Sequence, residues 1–471
     1  MSSEPLLETR SFDFVPESER HGNVRSQVQL WFMVNAQILT IYTGAVGIAA
    51  GLSLGWALLA IVAGSLVGTL FQAFHGAQGP VMGLPQMIQS RVQFGSRGVL
   101  LPILAATLSP FGFAVFLIQT ASYAVGDVTG IGALHLLQIV IAALAGLIAI
   151  VGFRMVMKIE KFASWLTLIN FALLTLAVFT VLPVGTLFAT GGVSAHGFFL
   201  QFGVSAIYQL AIAPLVSDYT RYLPAKTSGA KVSASVFFGT TLSAVWLEGI
   251  GAVLTAAFPG LDTIAAVRQL GDSFGFGLGT FTMIVAALSC LITTSITAYS
   301  GTLALISGLE AFRPLKPTAR LRFVSISIGM VLAVLVSFAL TQDTLNAFGA
   351  YLALLGYVLI PWTAVNLTDY YCVRKGRYSI TDIMRPDGGL YGTWGGIGLI
   401  SYVVGFLAMV PFFSSALYTG PIAAHLGGVD ISFVVGLAVS SLLYLLLARR
   451  LDLGQEMAAV RAAPLNTWGH S

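Results

Sequence analysis

One acid lies well inside an apolar stretch: Glu248, in the run Trp246-Leu247-Glu248-Gly249. A carboxyl in hydrocarbon either titrates, and so can carry a proton, or stays neutral and hydrogen-bonded. Uncharged polar groups are denser. Asn35, Gln37, Thr40 and Thr43 fall within nine residues and are followed by Gly44 and Gly47. Side chains that compete for backbone hydrogen bonds suit a locally unwound helix, or bonds to a neighbouring one. Gly112, Phe116, Gln119 and Tyr123 recur at i, i+4, i+7 and i+11, on one helical face. An aromatic beside an amide is a platform for a flat heterocycle: the ring stacks while the amide offers a donor and an acceptor. A buried Gln otherwise serves as a contact between helices. Tyr208 and Gln209 precede Pro214, which lacks a backbone donor and clashes with the carbonyl four residues back, at Leu210. Thr293, Thr294, Ser295, Thr297 and Ser300 bring hydroxyls that either bind a cation or bond back to their own helix.

These groups must be positioned by membrane helices. Of the 471 residues, 56% are hydrophobic and only 9% charged, against about 25% charged in soluble domains. A single water-soluble core cannot use that much apolar surface, so the chain is an all-α polytopic membrane protein. That excludes nucleic-acid binders, secreted enzymes and coiled coils. About 20 apolar residues cross the hydrocarbon, and twelve such stretches occur: 28–50, 53–77, 99–126, 131–153, 161–186, 198–217, 231–258, 279–309, 321–340, 344–372, 393–416 and 428–448.

Charge orients them. With the N-terminus inside, 22 of the 23 Lys and Arg fall in inner segments, among them Arg10, Arg313 and Lys316, and only Arg268 is outer. Both termini are therefore expected in the cytoplasm, with residues 1–27 and 449–471 as tails. The polar start of the chain shows no signal-peptide pattern. Cys290 and Cys372 form no disulfide or metal spacing, and no Gly-x-x-x-x-Gly-Lys-Ser/Thr pattern occurs. A nucleophile or metal cluster for an embedded enzyme is likewise missing. The expectation is a transporter driven by an ion or solute gradient, with no cofactor. His75, near the inner end of the second span, reads as an interface residue.

The first and sixth spans both carry Gly- or Pro-interrupted polar segments and lie five helices apart. Five is odd, so a second set of five starts from the opposite side of the membrane. Paired broken helices in two inverted halves point to a transporter site at the midplane. The halves are then 28–186 and 198–372 within a ten-helix core (28–372), with the two helices of 393–448 peripheral.

Three inner segments carry a resemblance. Gly79-Pro80, Gly83-Leu84-Pro85-Gln86-Met87-Ile88-Gln89-Ser90-Arg91 and Phe94-Gly95 form the first. Ser217-Asp218-Tyr219-Thr220-Arg221-Tyr222-Leu223-Pro224 is the second. The third runs from Pro361-Trp362 through Asn366 and Asp369-Tyr370-Tyr371 to Arg374, Gly376 and Tyr378. Together with Trp31-Phe32 and Asn35, they resemble the nucleobase:cation symporter-1 family of purine–cytosine permease type. The resemblance spans nearly the whole chain. It implies a LeuT-like fold, a five-plus-five inverted repeat plus two peripheral helices, and cation-coupled import of nucleobases or related rings such as hydantoins. Substrate is then held between spans 1, 3, 6 and 8, by Asn35, Gln37, Phe116, Gln119, Tyr208, Gln209 and Thr297. A sodium ion falls to carbonyls near Ala36 and Leu39 with the hydroxyls of Thr293 and Thr294. Two positions depart from the family pattern: Ile212 stands where many relatives have Trp, and Thr297 where an Asn is common.

The expected partners are thus a small neutral heterocycle, a monovalent cation (Na+ or H+) and plasma-membrane lipid, for a monomer that binds no nucleic acid. Asp218 and Arg221, three residues apart, form a candidate cytoplasmic gate or merely anchor the topology. The rival solutes are a vitamin precursor or a neutral amino acid on the same fold.

Overall fold

The computed structural model describes residues 13–151, 153–310, 312, 319–340 and 344–467. Arg10, Arg313 and Lys316 lie outside them. The principal helices are α1 (Val24–Val34), α2 (Ile38–Ala49), α3 (Leu54–Gly76), α4 (Leu100–Thr129), α5 (Leu134–Val151), α6 (Phe153–Val181), α7 (Ala195–Leu210), α8 (Ala213–Thr220), α9 (Gly229–Ala257), α10 (Thr263–Phe274), α11 (Leu278–Glu310), α12 (Ala319–Ala339), α13 (Thr344–Thr368), α14 (Gly396–Met409), α15 (Ser432–Ala448) and α16 (Leu453–Ala462). Among the described residues, eight helices are long and apolar enough to span a membrane, or ten if each bent pair counts as one. Two shorter apolar helices, Leu134–Ile150 and Gly396–Phe412, coincide with the fourth and eleventh expected spans.

The first span is broken. α1 and α2 meet at 58° through Asn35, Ala36 and Gln37, and Gln37 is extended (φ −147°, ψ 161°). The Thr40 hydroxyl donates to the Asn35 carbonyl at 2.6 Å, supplying a bond that the interrupted helix cannot. The sixth span is interrupted more gently. Ala211 and Ile212 form a turn before Pro214 starts α8, yet Ala195–Thr220 still runs as one span. The carbonyl reached from outside is that of Ala211, which accepts from Ser109 at 2.8 Å.

Packing pairs helices five spans apart. α1–α2 and α3 pack on α7 and α9, while α4 and α5 pack on α11 and α12. Close approach in the first group depends on glycine. A Cβ at Gly68 would overlap the Ala206 carbonyl, and one at Gly44 the Glu248 carbonyl. α13 packs against α4, α7, α14 and α15, and α16 turns away from α15 at 84°.

The connection after α3, which lies between the expected second and third spans, holds three short helices, Gln78–Met82, Gln86–Gln89 and Arg91–Phe94. Their buried glutamines hold the three motif segments together on the face that bears the basic loops. Ser217 donates to Gln86 Oε1 at 2.6 Å, and Asp218 Oδ1 accepts the Gln86 backbone N–H at 2.9 Å. Gln78 donates to Asn366 at 2.8 Å, and Trp362 to Ser90 at 3.0 Å. The chain of bonds ends at the fully buried Asp369. Its carboxylate accepts from Gln93 (2.7 Å), Tyr378 (3.0 Å), Tyr444 (2.8 Å) and Arg374 (2.5 Å). Arg374 also grips Glu456 of α16. Burial works against the Arg374 charge, but the two carboxylates more than offset it and hold the guanidinium above its ordinary value. Asp369–Val373 is a π-helical turn, which aims Asp369 inward and leaves Cys372 exposed.

Candidate functional site

The break in the first span opens onto a cavity of about 170 Å³. Its walls come from the breaks of spans one and six, from α4 and from the middle of α11, with α6 closing one side. Of the residues expected at the substrate or cation sites, Ala36, Gln37, Tyr208, Thr293 and Thr297 line it. Gln37 Nε2 donates to the Val34 carbonyl (3.2 Å) and the Tyr208 hydroxyl (3.1 Å). The same hydroxyl lies 2.9 Å from that of Thr40. Gln37 Oε1 is buried with no hydrogen-bond partner among the described residues. It is thus a buried acceptor whose demand is unmet, on a residue that lines the cavity. The Thr297 hydroxyl bonds back to the Thr294 carbonyl (3.0 Å), and that of Thr294 to Cys290 (2.7 Å).

Other expected residues lie elsewhere. Phe116 and Gln119 are fully buried but are not in the cavity wall. Gln119 Nε2 donates to the Leu340 carbonyl and the Thr344 hydroxyl, both at 3.0 Å, while its Oε1, like that of Gln37, is buried with no partner among the described residues. A Cβ at Gly112 would collide with the Tyr351 ring. The face Gly112–Phe116–Gln119 therefore packs against the start of α13, the helix-contact alternative for a buried Gln. The α4 face in the cavity is Ser109, Pro110, Phe113 and Leu117, which the sequence reading missed. Its signal was the Ser-Pro pair, since a proline inside a span frees a carbonyl and disturbs local packing. Leu39 and Thr294 are buried outside the cavity wall.

Asn35 and Gln209 also lie behind the wall. Asn35 Nδ2 donates to Gln209 Oε1 (2.8 Å) and the Thr240 carbonyl (3.1 Å). Gln209 Nε2 then donates to Glu248 Oε1 (3.2 Å), while Ser205 donates to Oε2 (2.5 Å). Gln201 extends this network, donating to Ser205 (2.9 Å) and the Thr43 carbonyl (3.0 Å) and accepting the Gly47 N–H (2.6 Å). Both halves of the first span are thus tied to Glu248 through α7. On the basic face, Arg221 Nε bonds back to the Asp218 carbonyl at 3.2 Å. α8 is tied to its surroundings by Arg221, which donates to the Asp13 carbonyl at 3.3 Å, and by Asp218, which accepts the Gln86 N–H.

A layer of aromatic rings caps the cavity. Phe113, Tyr208, Phe348, Tyr351 and Phe116 contact one another, mostly edge to face, at centroid distances of 5.0–6.4 Å. Beyond it, on the face opposite the basic loops, lies a vestibule of about 1320 Å³ lined by Tyr123, Asp127, Asp262, Arg268 and Thr344, among others. The arrangement offers rings to stack on, one unmet acceptor and several hydroxyls, with no charged anchor in the wall. It can bind an uncharged flat solute. It offers no nucleophile and base pair for covalent chemistry.

The chain matches the family model for permeases of cytosine/purines, uracil, thiamine and allantoin over residues 14–436. It is 34% identical over 455 residues to a putative purine-cytosine permease of Bacillus subtilis, covering 94% of this chain and 96% of that one. The purine-cytosine permease fcyB of Emericella nidulans is 26% identical over 479 residues, covering 95% and 89%. Among solved structures, it resembles Mhp1, a nucleobase-cation-symport-1 family transporter captured closed with a bromovinylhydantoin bound. The TM-score is 0.73 at 20% identity, covering 98% of this chain and 97% of that one.

Proposed function

Because the chain belongs to the family of permeases for cytosine/purines, uracil, thiamine and allantoin, we propose that it imports a neutral nucleobase or closely related ring by cation symport with alternating access. Residues 28–186 and 198–372 act as the two repeats, 393–448 are peripheral, and the basic face is cytoplasmic. The cavity at the helix break carries this reading: Phe113 and Tyr208 supply rings, and Gln37 supplies an unpartnered carbonyl. A ring N–H donates to Gln37 Oε1, the heterocycle stacks on Phe113 or Tyr208, and the Thr293 and Thr297 hydroxyls meet its far edge. Phe116 supports the stack from behind. Gln119 fixes α4 against α13, and Asn35 and Gln209 hold the breaks in register. No carboxylate anchor is needed for an uncharged guest.

Binding of the coupling cation shifts the equilibrium only by its differential affinity for the two access states. Two ion sites compete. A sodium ion would draw on Ala36, Leu39, Thr293 and Thr294, of which only Ala36 and Thr293 share the cavity wall. A proton would reside on Glu248. Asp218, bonded to Gln86, and Arg221 steady the cytoplasmic closure.

The test is a thermal-shift series on purified protein with cytosine, uracil, purines, hydantoins, thiamine and neutral amino acids, each with and without sodium. A ligand that prefers the native form raises the melting point. A shift with cytosine, uracil, a purine or a hydantoin, and none with thiamine or amino acids, supports the reading. Stabilisation by thiamine alone or by a neutral amino acid alone replaces it with the corresponding rival solute.

A further inference from the structure

The α3 face toward α7 and α9 carries more unmet polarity than a hydrocarbon interface tolerates. Ser65 Oγ, Thr69 Oγ1 and both amide atoms of Gln72 are buried without a hydrogen-bond partner among the described residues. They recur at i, i+4 and i+7, and so form one stripe. Gly76 continues that stripe, and a Cβ there would meet Val216 of α8 at 3.3 Å and Val236 of α9 at 3.0 Å. The stripe therefore faces the seam between the sixth and seventh spans. On α9, Thr240, whose carbonyl accepts from Asn35 at the helix break, has an Oγ1 that is equally unpartnered, as is Asn35 Oδ1. Towards the mid-membrane end, Gly64 abuts Ser205, a hydrogen-bond donor to Glu248. Towards the basic face, His75 follows Gln72 by three residues, stacks on Trp362 and is hydrogen-bonded to Gln86.

Buried polar atoms left without protein partners mark sites of bound water, which makes two to four hydrogen bonds apiece. Resting on the transport reading above, we propose that Glu248 is the proton-carrying residue. We further propose that Ser65, Thr69, Gln72 and Thr240 line a file of water through which its proton reaches His75 and the basic face. In the transfer the carboxyl O–H bond breaks, its proton passes to an adjacent water, and the carboxylate keeps its bonds from Ser205 and Gln209. The excess proton then moves from water to water along the seam. Gln209 bonds Glu248 on one side and Asn35 on the other, so the charge of the carboxyl is felt at the broken first span, beside the substrate. Among the helices around Glu248, α2, α3 and α7 contain no Asp, Glu, Lys or Arg. Their titratable groups are Tyr42, bonded to Asp262, His196, bonded to the Gly428 carbonyl, and His75 and Tyr208. Of the other helices packed on α9, α1 carries Arg25, α6 carries Arg154, Lys158, Glu160 and Lys161, and α10 carries Arg268 and Asp272, which pair with each other; α9 itself also carries Lys231.

The experiment uses the full chain in liposomes with tritiated cytosine and a pH dye inside. Wild-type protein is expected to accumulate cytosine under an imposed proton gradient without sodium, with proton influx. Glu248→Gln should lose accumulation and proton influx at least tenfold while still exchanging cytosine across the bilayer. Glu248→Asp should recover part of both. Thr69→Val with Gln72→Leu should slow proton influx several-fold. Wild-type proton influx in E248Q, or accumulation that needs sodium and moves no protons, overturns the proposal. If wild-type protein exchanges no cytosine, it is the substrate reading that fails. Proton binding is then read directly by infrared difference spectroscopy. A titrating carboxyl band that vanishes in E248Q upholds the proposal, and a wild-type spectrum without that band overturns it.

Discussion

Phe113 and Tyr208 meet edge to face, ring centroids 5.7 Å apart, where the cavity ends and the aromatic layer begins. Each ring belongs to a different helical group, α4 on one side and α7 on the other. A guest that stacks on either ring therefore senses the relative position of the two groups, which is the coordinate of alternating access. Replacing Phe113 by Ala removes the stacking surface and one member of the barrier. Aromatic pairs contribute about 0.5–1.5 kcal/mol beyond area burial, so ligand affinity should fall roughly tenfold, the equivalent of about 1.4 kcal/mol. Phe113→Tyr should stay near wild type. Equilibrium binding of a tritiated nucleobase to detergent-solubilised protein measures both.

Gln37 and Gln119 separate substrate recognition from scaffold. Both amide oxygens are buried without a partner among the described residues, and both Nε2 atoms are committed, that of Gln37 to Val34 and Tyr208 and that of Gln119 to Leu340 and Thr344; only Gln37 lines the cavity. Gln37→Leu should weaken binding at least tenfold and, because it strands the Val34 carbonyl and the Tyr208 hydroxyl, also lower the melting point. Gln119→Leu should lose stability alone. It strands the Leu340 carbonyl and the Thr344 hydroxyl, at about 1–3 kcal/mol for a buried group left unsatisfied, and lowers the melting point while affinity changes little. Binding lost in Q119L at unchanged stability would return Gln119 to the substrate.

The comparison explains what could be read from the chain. Span lengths and loop charges follow from the bilayer's thickness and potential, so the helices, the break at Asn35–Gln37 and the place of Tyr208 were legible. The face of α4 was not. Phe116 and Gln119 share a stripe with Gly112, but that glycine makes room for Tyr351, a contact between residues 239 positions apart that no local spacing encodes. The three motif segments were visible as patterns, whereas their interlocking at Asp369 needed Tyr444 and the α16 link to Glu456. The polarity of α3 escaped notice because Ser65, Thr69 and Gln72 are each ordinary, and only their shared seam makes them unusual.

The Asp369 site predicts a graded loss of stability. Asp369→Asn removes the charge that faces Arg374 at the buried end of the network, whose side chain is 0% exposed. Breaking a buried pair from one side costs about 3–5 kcal/mol, because the other charge is left uncompensated. Glu456, 11% exposed, can be replaced more cheaply, since water reaches that end. The melting point should therefore fall further for Asp369→Asn than for Glu456→Gln. The double variant should lose less than the sum, because both act through Arg374. Equal losses for the two single variants would place the weight of the network on hydrogen bonding alone.

Orientation can be read through the two cysteines. Cys372 is exposed at the π-helical turn on the basic face, while Cys290 is buried in α11 beside the cavity residues Ser289, Ile292 and Thr293. With the basic face cytoplasmic, a membrane-impermeant maleimide should label Cys372 in inside-out vesicles and leave it untouched in intact cells, and Cys372→Ser should remove the signal. Cys290 should react slowly in the resting protein. It should become still slower when a bound ring closes the cavity, because a thiol must be reached by solvent before its thiolate can attack. Labelling of Cys372 from outside intact cells would invert the topology, and with it the direction in which the Glu248 seam delivers its proton.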